Sequence, residues 1–293
     1  MNIDKLIGNT PIIRIKIKYK EKIVNVYAKL EYYNYSGSIK DRIANYIIKK
    51  SYENGSLKKG MPIIEATSGN TGIAFAALGA YYGHPVHIFM PDFASIERIN
   101  LMKMYGAKVY LVSREEGGFK EAIRLADKLA EDINGFRPDQ FNNMMNVRAH
   151  YSSTGLEITK KLNNIDGFVS GIGTGGTLMG IGKRIKKKFP QAKIIALEPK
   201  QMPILSEGIN FGVHRIEGIG DDFIPSIVDK SLIDEETWNK IPKAKNSYYY
   251  LVMEYCDQGT LESYLERNQG PLSIEEILHF LAEISCGLWY LHF

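Results

Sequence analysis

The sequence predicts an α/β fold in which largely parallel strands are joined by helices. Short apolar stretches alternate along the chain with stretches of helical length, and two glycine-rich turns each stand between a predicted strand and a predicted helix. This alternation is typical of parallel sheets, because two parallel strands need a long crossover connection. A chain of 293 residues with 44% hydrophobic residues can form one large α/β domain or two smaller ones.

The elements are predicted from apolar periodicity and from stop signals such as glycine and proline. A strand over 25–31 leads to a helix that runs from Lys40 to about Asn54. The other predicted strands cover 62–66, 86–90, 108–112, 167–171 and 193–198, and the other predicted helices cover 73–82, 95–106, 118–132, 150–162 and 175–188.

Composition argues against several classes of protein. The formal charge of +4 is too small to indicate a nucleic-acid partner, and a basic cluster at 183–188 is interpreted as a solvated helix end. Two cysteines, Cys256 and Cys286, provide neither a disulfide framework nor a metal cluster, and the histidines lack metal-binding spacing. No apolar run has the length of a membrane span and no signal peptide is apparent, so we expect a cytoplasmic protein.

Lys40 is the first candidate functional residue. It follows a polar, glycine-containing loop, and Ile43, Ala44 and Ile47 follow it at the spacing of one helix face. Burial disfavours the charged form of a lysine, and a neutral amine can attack an aldehyde. We therefore interpret Lys40 as the attachment point of a cofactor, the alternative being a lysine that extends to solvent.

A glycine-rich turn at 171–177 indicates an anion site. Its amides and threonine hydroxyls converge on a predicted helix N-terminus, which suits a phosphate. Gly171, Gly173 and Gly176 also satisfy the G-x-G-x-x-G pattern of dinucleotide-binding proteins, and Glu198 ends the next strand, where such a protein holds ribose. A simple tight turn is the third alternative.

A second turn at 67–72 repeats this geometry and suits a carboxylate. The alternative is ordinary capping of the helix by Ser68 or Asn70. Two anion sites and a buried lysine together match a ligand with a phosphate and an aldehyde, plus a substrate with a carboxylate.

Several motifs carry a family resemblance, which spans about residues 3–234. They are Ile7-Gly8-Asn9-Thr10-Pro11, Ser38-Ile39-Lys40-Asp41-Arg42, the turn at 67–72, Gln140-Phe141-Asn142-Asn143, the turn at 173–177 and Gly218-Ile219-Gly220-Asp221-Asp222-Phe223-Ile224-Pro225. Together they resemble the pyridoxal-phosphate enzymes of the cysteine synthase and cystathionine β-synthase family. The resemblance implies a two-domain, fold-type II architecture, with a larger domain at 1–37 and 144–234 and a smaller one at 38–143.

The resemblance also implies residue roles. Lys40 would bind pyridoxal 5'-phosphate as a Schiff base and later move the α-proton of the substrate, and Asn70 would contact the hydroxyl of the cofactor ring. The phosphate would be bound by Gly173, Thr174, Gly175, Gly176 and Thr177, and the substrate carboxylate by Thr67, Ser68, Gly69, Thr71 and Gln140.

The implied reaction is β-replacement, in which O-acetylserine loses acetate and sulfide adds to the resulting aminoacrylate to give cysteine. Condensation of serine with homocysteine, as in cystathionine β-synthase, is the alternative within the family. The resemblance further implies small-molecule partners and a homodimer, with no nucleic-acid or membrane partner.

The chain departs from the family after about residue 234. The family's Ser-Ser-Gly turn, which contacts the nitrogen of the cofactor ring, does not follow, and 235–247 is interpreted as a linker. Residues 248–293 instead resemble the hinge strand and following helix of a eukaryotic protein kinase. Without a catalytic-loop aspartate or a glycine-rich kinase loop, we expect no kinase activity, and a catalytically inactive chimera with an interaction tail is the alternative from another class.

Overall fold

A computed structural model describes residues 2–19, 22–212, 214, 216, 218–237 and 248–253. These residues form two sheets, one of six strands and one of three, with helices packed against both. Apolar clusters lie between each sheet and its helices. Among the described residues, no helix combines the length and the apolar character needed to cross a membrane.

The three-stranded sheet is parallel. Its strands are β3 (Ile63–Ala66), β4 (Val86–Pro91) and β5 (Lys108–Val112), in that order. The helices α1 (Lys40–Glu53), α2 (Asn70–Tyr82), α3 (Ile96–Met104) and α4 (Gly118–Asp132) accompany it. Ala44, Ile47 and Ile48 of α1 are completely buried in the same cluster as β3 and α2, so the face predicted for the Lys40 helix is confirmed.

The six-stranded sheet has the order β1-β2-β9-β6-β7-β8. Its strands are β1 (Ile12–Tyr19), β2 (Lys22–Leu30), β6 (Gly167–Gly171), β7 (Lys193–Leu197), β8 (Glu235–Thr237) and β9 (Tyr248–Met253). The helices α5 (Met144–Ser152), α6 (Thr154–Lys161) and α7 (Gly176–Lys188) accompany it. All its strand pairs are parallel except the β1–β2 hairpin.

The predicted strands and helices are confirmed with small shifts at their ends, and two features differ. The strand β1 was not predicted, although Ile12, Ile13, Ile15 and Ile17 alternate with basic residues in the period of a strand. The single helix predicted over 150–162 is two helices, because the backbone leaves helical geometry at Ser153, with φ −114° and ψ −83°.

Strand β9 lies at the centre of the six-stranded sheet, where it pairs with both β2 and β6. Although it begins the segment that was assigned to a kinase-like fragment, β9 joins the two halves of this sheet. The rest of the predicted linker and kinase-like segment, at 238–247 and 254–293, lies outside the described residues. The predicted domain boundaries remain predictions.

A buried ionic network ties α1 to the six-stranded sheet. The Arg42 guanidinium donates to Glu31 at 2.5 and 2.9 Å and to Glu157 at 2.7 and 2.9 Å, and Lys29 Nζ lies 2.6 Å from Glu157 Oε2. Burial alone would raise the pKa of Glu31, but the charge and hydrogen bonds of Arg42 outweigh it and the pKa is lowered. Glu31 therefore stays ionised beside Arg42, and the network holds the Lys40 helix against β2 and α6.

We expect Arg42→Met to lower the free energy of unfolding by about 3–5 kcal/mol, because it leaves the buried Glu31 carboxylate without its main partner. Urea unfolding followed by circular dichroism measures the change. Arg124→Met is the matched control, since Arg124 forms a solvent-exposed pair with Glu121 on α4, and water screens such a pair so that it contributes little to stability. Equal effects of the two substitutions would contradict the role of the network.

Candidate active site

A cavity between the two sheets brings most of the predicted site residues together. Its wall includes the predicted residues Lys40, Thr67, Ser68, Gly69, Asn70, Thr71, Gln140 and Thr174. These residues come from the starts of α1 and α2, the segment before α5 and the turn before α7. Helix N-termini present free amides and the positive ends of helix dipoles, so the cavity suits anionic groups.

Lys40 is the first residue of α1, and the turn before it is fixed by Asp41. The buried Asp41 carboxylate accepts a hydrogen bond from the Ser36 amide at 2.6 Å and another from the Ser36 hydroxyl. Burial raises the pKa of Asp41 to about 6, although the Ser36 hydrogen bonds oppose this shift. Asp41 had no predicted role, and the structure shows that it orients the loop that delivers Lys40 to the cavity.

Helix α2 begins without a side-chain cap. Its first turn follows Gly69, and neither Ser68 nor Asn70 accepts a capping hydrogen bond from the helix. This overturns the capping alternative for the 67–72 turn and leaves these polar groups at the cavity wall. The nearby Thr71 hydroxyl donates to Gln140 Oε1 at 2.6 Å, which links the turn to the segment before α5.

Gln140 is held in place by a buried carboxylate. Glu65 Oε2 accepts a hydrogen bond from the backbone amide of Gln140 at 3.3 Å, and the side-chain Nε2 of Gln140 donates to the Ala66 carbonyl at 3.0 Å. Burial raises the pKa of Glu65, which the positive charge of Arg137 partly opposes. Glu65 thereby holds the backbone at Gln140, while Ala66 and Thr71 orient its predicted substrate-binding side chain.

The glycine-rich turn before α7 depends on the small size of its glycines. Gly175 has φ +84°, which favours glycine, and a Cβ on Gly173 would lie 2.1 Å from the Gly218 carbonyl oxygen. Of the predicted phosphate-binding residues, Thr174 lines the main cavity, and Gly173 lines a smaller adjoining one. Gly175, Gly176 and Thr177 continue the turn into α7 without lining either cavity.

Glu198 is occupied by the protein's own backbone. Its carboxylate accepts hydrogen bonds from the amides of Leu205 at 2.8 Å and Ser206 at 2.9 Å, and from the Ser206 hydroxyl. It is 3% exposed. A dinucleotide ribose would have to displace these bonds, so the structure argues against the dinucleotide interpretation.

Two charged residues of the cavity were not assigned a role from the sequence. Arg98 of α3 lies against the 67–72 turn, where a Cβ on Gly69 would be 2.9 Å from its Nη1 atom. Asp221 lies in the cavity wall with Lys40, and burial, with the charge of Asp222, raises its pKa to about 6 against the charge of Lys40. The sequence signal that could have pointed to Asp221 is the pair of consecutive aspartates, Asp221 and Asp222, after Gly220.

Comparison with known proteins identifies the family. The model of the pyridoxal-phosphate dependent enzyme family matches residues 3–252. The chain belongs to this family. The cysteine synthase of Staphylococcus aureus strain Mu50 is 42% identical over 235 residues, which cover 80% of this chain and 75% of that protein. The probable cysteine synthase of Bacillus subtilis strain 168 is also 42% identical, over 239 residues that cover 80% of this chain and 76% of that protein.

Solved structures of the family have the same fold. A hydrogen sulfide-producing enzyme from Fusobacterium nucleatum is 41% identical, covers 94% of both chains and has a TM-score of 0.84. An aspartate-to-asparagine mutant of this enzyme, complexed with an α-aminoacrylate intermediate, aligns over 80% of this chain and 72% of that chain, with 50% identity and a TM-score of 0.78. The predicted fold class and the predicted cofactor are thereby confirmed.

The C-terminal resemblance is also confirmed. The model of the protein tyrosine and serine/threonine kinase family matches residues 240–293 and overlaps the pyridoxal-phosphate family match at 240–252. The overlap includes most of β9, the strand at the centre of the six-stranded sheet.

The site residues fit pyridoxal phosphate. An amine, uncapped helix amides and hydroxyls line one cavity. The adjoining turn has no room for larger residues at two glycines: a Cβ on Gly173 would lie 2.1 Å from the Gly218 carbonyl oxygen, and a Cβ on Gly176 would lie 1.9 Å from Asn146 Oδ1. Such close backbone packing is typical of a turn whose amides approach an anion. The individual roles implied by the resemblance remain predictions.

We expect Gly173→Ala to weaken the binding of pyridoxal phosphate at least about tenfold, because the new methyl group forces the turn away from Gly218. Equilibrium titration followed by the absorbance of the cofactor measures the change. Gly208→Ala is the control, since no atom lies within 4 Å of the Cβ position of Gly208, and alanine there strains the backbone at φ +71° without displacing the turn before α7. Similar affinities in the two variants would contradict a phosphate-binding role for this turn.

Proposed function

We propose that this protein catalyses β-replacement on an amino acid with pyridoxal phosphate, as cysteine synthases do, and forms cysteine from O-acetylserine and sulfide. The observation that carries the proposal is the single cavity that Lys40, the start of α2 and the turn before α7 share. When bound, the cofactor supplies an aldehyde that bonds covalently to an amine and a ring that stabilises negative charge at the substrate Cα.

The residues of the chain have separate roles in this proposal. Lys40 Nζ would hold the cofactor through its aldehyde and would take the proton from the substrate Cα, a step that an amine beside the reacting carbon can perform. Thr67, Ser68, Gly69, Thr71 and Gln140 bind the substrate carboxylate. Asn70 contacts the ring, and residues 173–177 hold the phosphate with backbone amides and hydroxyls.

Arg98 adds a positive charge to the carboxylate site. It is a wall residue of the same cavity and lies against the turn that the carboxylate would approach. A guanidinium within reach of a carboxylate strengthens its binding through charge-assisted hydrogen bonds. This assignment explains why an arginine is kept 8% exposed behind the 67–72 turn.

Covalent labelling tests the proposal directly. The protein is incubated with pyridoxal phosphate, reduced with sodium borohydride, digested and analysed by mass spectrometry. We expect the reduced cofactor on Lys40, together with formation of cysteine from O-acetylserine and sulfide. A label on other lysines only, or stabilisation of the protein by nicotinamide dinucleotides and not by pyridoxal phosphate, would contradict it.

Asp221 favours a second candidate reaction at the same site. A carboxylate with a pKa near 6 can remove a proton from a neutral nucleophile such as water or a thiol, whereas it repels the hydrosulfide anion. Cysteine and water would then give serine and hydrogen sulfide, in line with the similarity to the hydrogen sulfide-producing enzyme of Fusobacterium nucleatum. The rate of sulfide release from cysteine, compared with the rate of cysteine formation from O-acetylserine and sulfide, decides between the two candidate reactions.

Serine with homocysteine remains a further substrate pair within the family. A homodimer and a cytoplasmic location are proposals that rest on the resemblance to cysteine synthases. Size-exclusion chromatography with light scattering measures the assembly, and assays with each amino acid measure the substrate preference.

A further inference from the structure

Helix α5 packs closely behind the turn that precedes α7. A Cβ on Gly180 of α7 would lie 2.4 Å from the Val147 carbonyl oxygen and 2.6 Å from the His150 Cβ, so only glycine permits this approach. Asn146 and His150 are four residues apart and therefore share one face of α5. The close packing brings the Asn146 side chain to Thr174 and the His150 side chain to Thr177.

Asn146 donates a hydrogen bond to the Thr174 hydroxyl. Its Nδ2 atom lies 3.0 Å from the Gln140 carbonyl oxygen and 3.0 Å from Thr174 Oγ1. A carbonyl oxygen only accepts hydrogen bonds, so the Asn146 atom that contacts both groups must be the amide nitrogen. Thr174 Oγ1 also accepts from the Gly176 amide at 3.3 Å. Both acceptor positions of this hydroxyl are thus used, and its hydrogen is left to point into the cavity.

His150 contacts Thr177 in a similar way. It is 1% exposed, its Nδ1 atom lies 3.1 Å from Thr154 Oγ1 and its Nε2 atom lies 3.3 Å from Thr177 Oγ1. Burial lowers the pKa of His150 well below its ordinary value, and the positive charges of Arg42 and Lys40 lower it further. The ring is therefore neutral, with one nitrogen donating and the other accepting.

We propose that Asn146 and His150 are positioning residues that turn the hydroxyl hydrogens of Thr174 and Thr177 towards the phosphate of the cofactor. In this arrangement Thr154 donates to His150 Nδ1, and His150 Nε2–H donates to Thr177. The inference rests on the proposed function, in which the turn at 173–177 binds that phosphate.

The direction of these hydrogen bonds matters because a fully ionised phosphate has no hydrogen to donate and can only accept hydrogen bonds. A threonine whose hydrogen was drawn back into the protein would present a lone pair to the anion and repel it. Two donors fixed in advance instead add charge-assisted hydrogen bonds without a cost of reorientation on binding. They also complement the dipole of α7, since the phosphate would lie at its N-terminus.

Two substitutions at His150 test the proposal. His150→Leu removes the donor, and His150→Gln places an amide nitrogen near the position of Nε2 and restores it. The dissociation constants for pyridoxal phosphate and for pyridoxal, which has the same aldehyde and ring but no phosphate, are measured by absorbance titration. We expect His150→Leu to weaken pyridoxal phosphate about tenfold or more and pyridoxal less than about twofold, with His150→Gln close to the wild type.

The comparison of the two aldehydes separates positioning from general damage to the fold. Equal weakening of both aldehydes by His150→Leu, or unchanged affinity for pyridoxal phosphate, overturns the proposal. Asn146→Ala is the second variant and is expected to show the same selective loss. If the wild-type protein binds neither aldehyde, the proposed function fails. If the wild-type protein prefers pyridoxal phosphate and the His150→Leu and Asn146→Ala variants keep that preference, only the positioning role fails.

The wild-type protein provides an independent measurement. Nitrogen-15 NMR of histidine-labelled protein reports which ring nitrogen carries the proton. We expect a neutral His150 ring protonated at Nε2, and a ring protonated at Nδ1 would overturn the assigned direction of the hydrogen bonds.

Discussion

Lys40→Ala is expected to abolish covalent attachment of pyridoxal phosphate and to lower the rate of β-replacement by at least about 10³-fold. The physical reason is that one amine performs two tasks, attachment of the cofactor and proton transfer at the substrate Cα, and general acid–base catalysis alone contributes about 10²–10⁴-fold. Absorbance spectra of the cofactor and steady-state assays with O-acetylserine and sulfide measure the two losses.

Lys50→Ala is the matched control for this substitution. Lys50 lies on the same helix, is exposed and pairs with Glu53, so its removal is expected to change neither the spectrum nor the rate. Lys40 is the first residue of α1, and the apolar stripe of this helix starts three residues later at Ile43. The Lys40→Ala variant should therefore keep its fold, which circular dichroism checks. A Lys40→Ala protein with an unchanged rate would show that another group moves the proton.

Asp221→Asn is expected to slow sulfide release from cysteine by about 10²–10⁴-fold, the usual contribution of a general base. Cysteine formation from O-acetylserine and sulfide should change little, because the hydrosulfide anion has no proton that must be removed before it attacks. Assays of both reactions with the same preparation measure the ratio of the two rates.

The pH dependence gives a second readout for Asp221. Its pKa is raised to about 6, so the carboxylate that acts as a base is present above this pH and is lost as the pH falls through it. Sulfide release should therefore rise with pH through about 6 in the wild type, and this rise should be absent in Asp221→Asn.

Asp222→Asn is the matched control for Asp221. Its carboxylate pairs with Lys120 at 2.8 Å, and its negative charge contributes to the raised pKa of Asp221. Removing that charge should shift the rise to lower pH and leave the base in place. Equal losses of both reactions in Asp221→Asn would mean that the aspartate shapes the cavity and does not act as a base.

Much of the fold could be predicted because its signals are local. The small-residue helix α2 follows a short buried strand and a glycine turn, and the basic end of α7 precedes Pro190. The strand β1 shows that a local signal can also be missed, since its alternating isoleucines stand next to lysines that favour solvent. The break at Ser153 depends on the packing of α5 and α6 and has no comparable signal.

The sequence by itself identified the family and the cofactor, because the residue types of the glycine turns and of the loop before Lys40 are present in the chain itself, and it made Lys40 the predicted attachment residue. Only the tertiary structure decided which side chains support them. The roles proposed for Asp221, Glu65 and His150 depend on contacts between distant parts of the chain. His150 contacts Thr177, Glu65 contacts the backbone of Gln140, and Asp221 lines the same cavity as Lys40. Burial and long-range packing set their pKa values and hydrogen bonds, and neither quantity can be predicted from residue spacing.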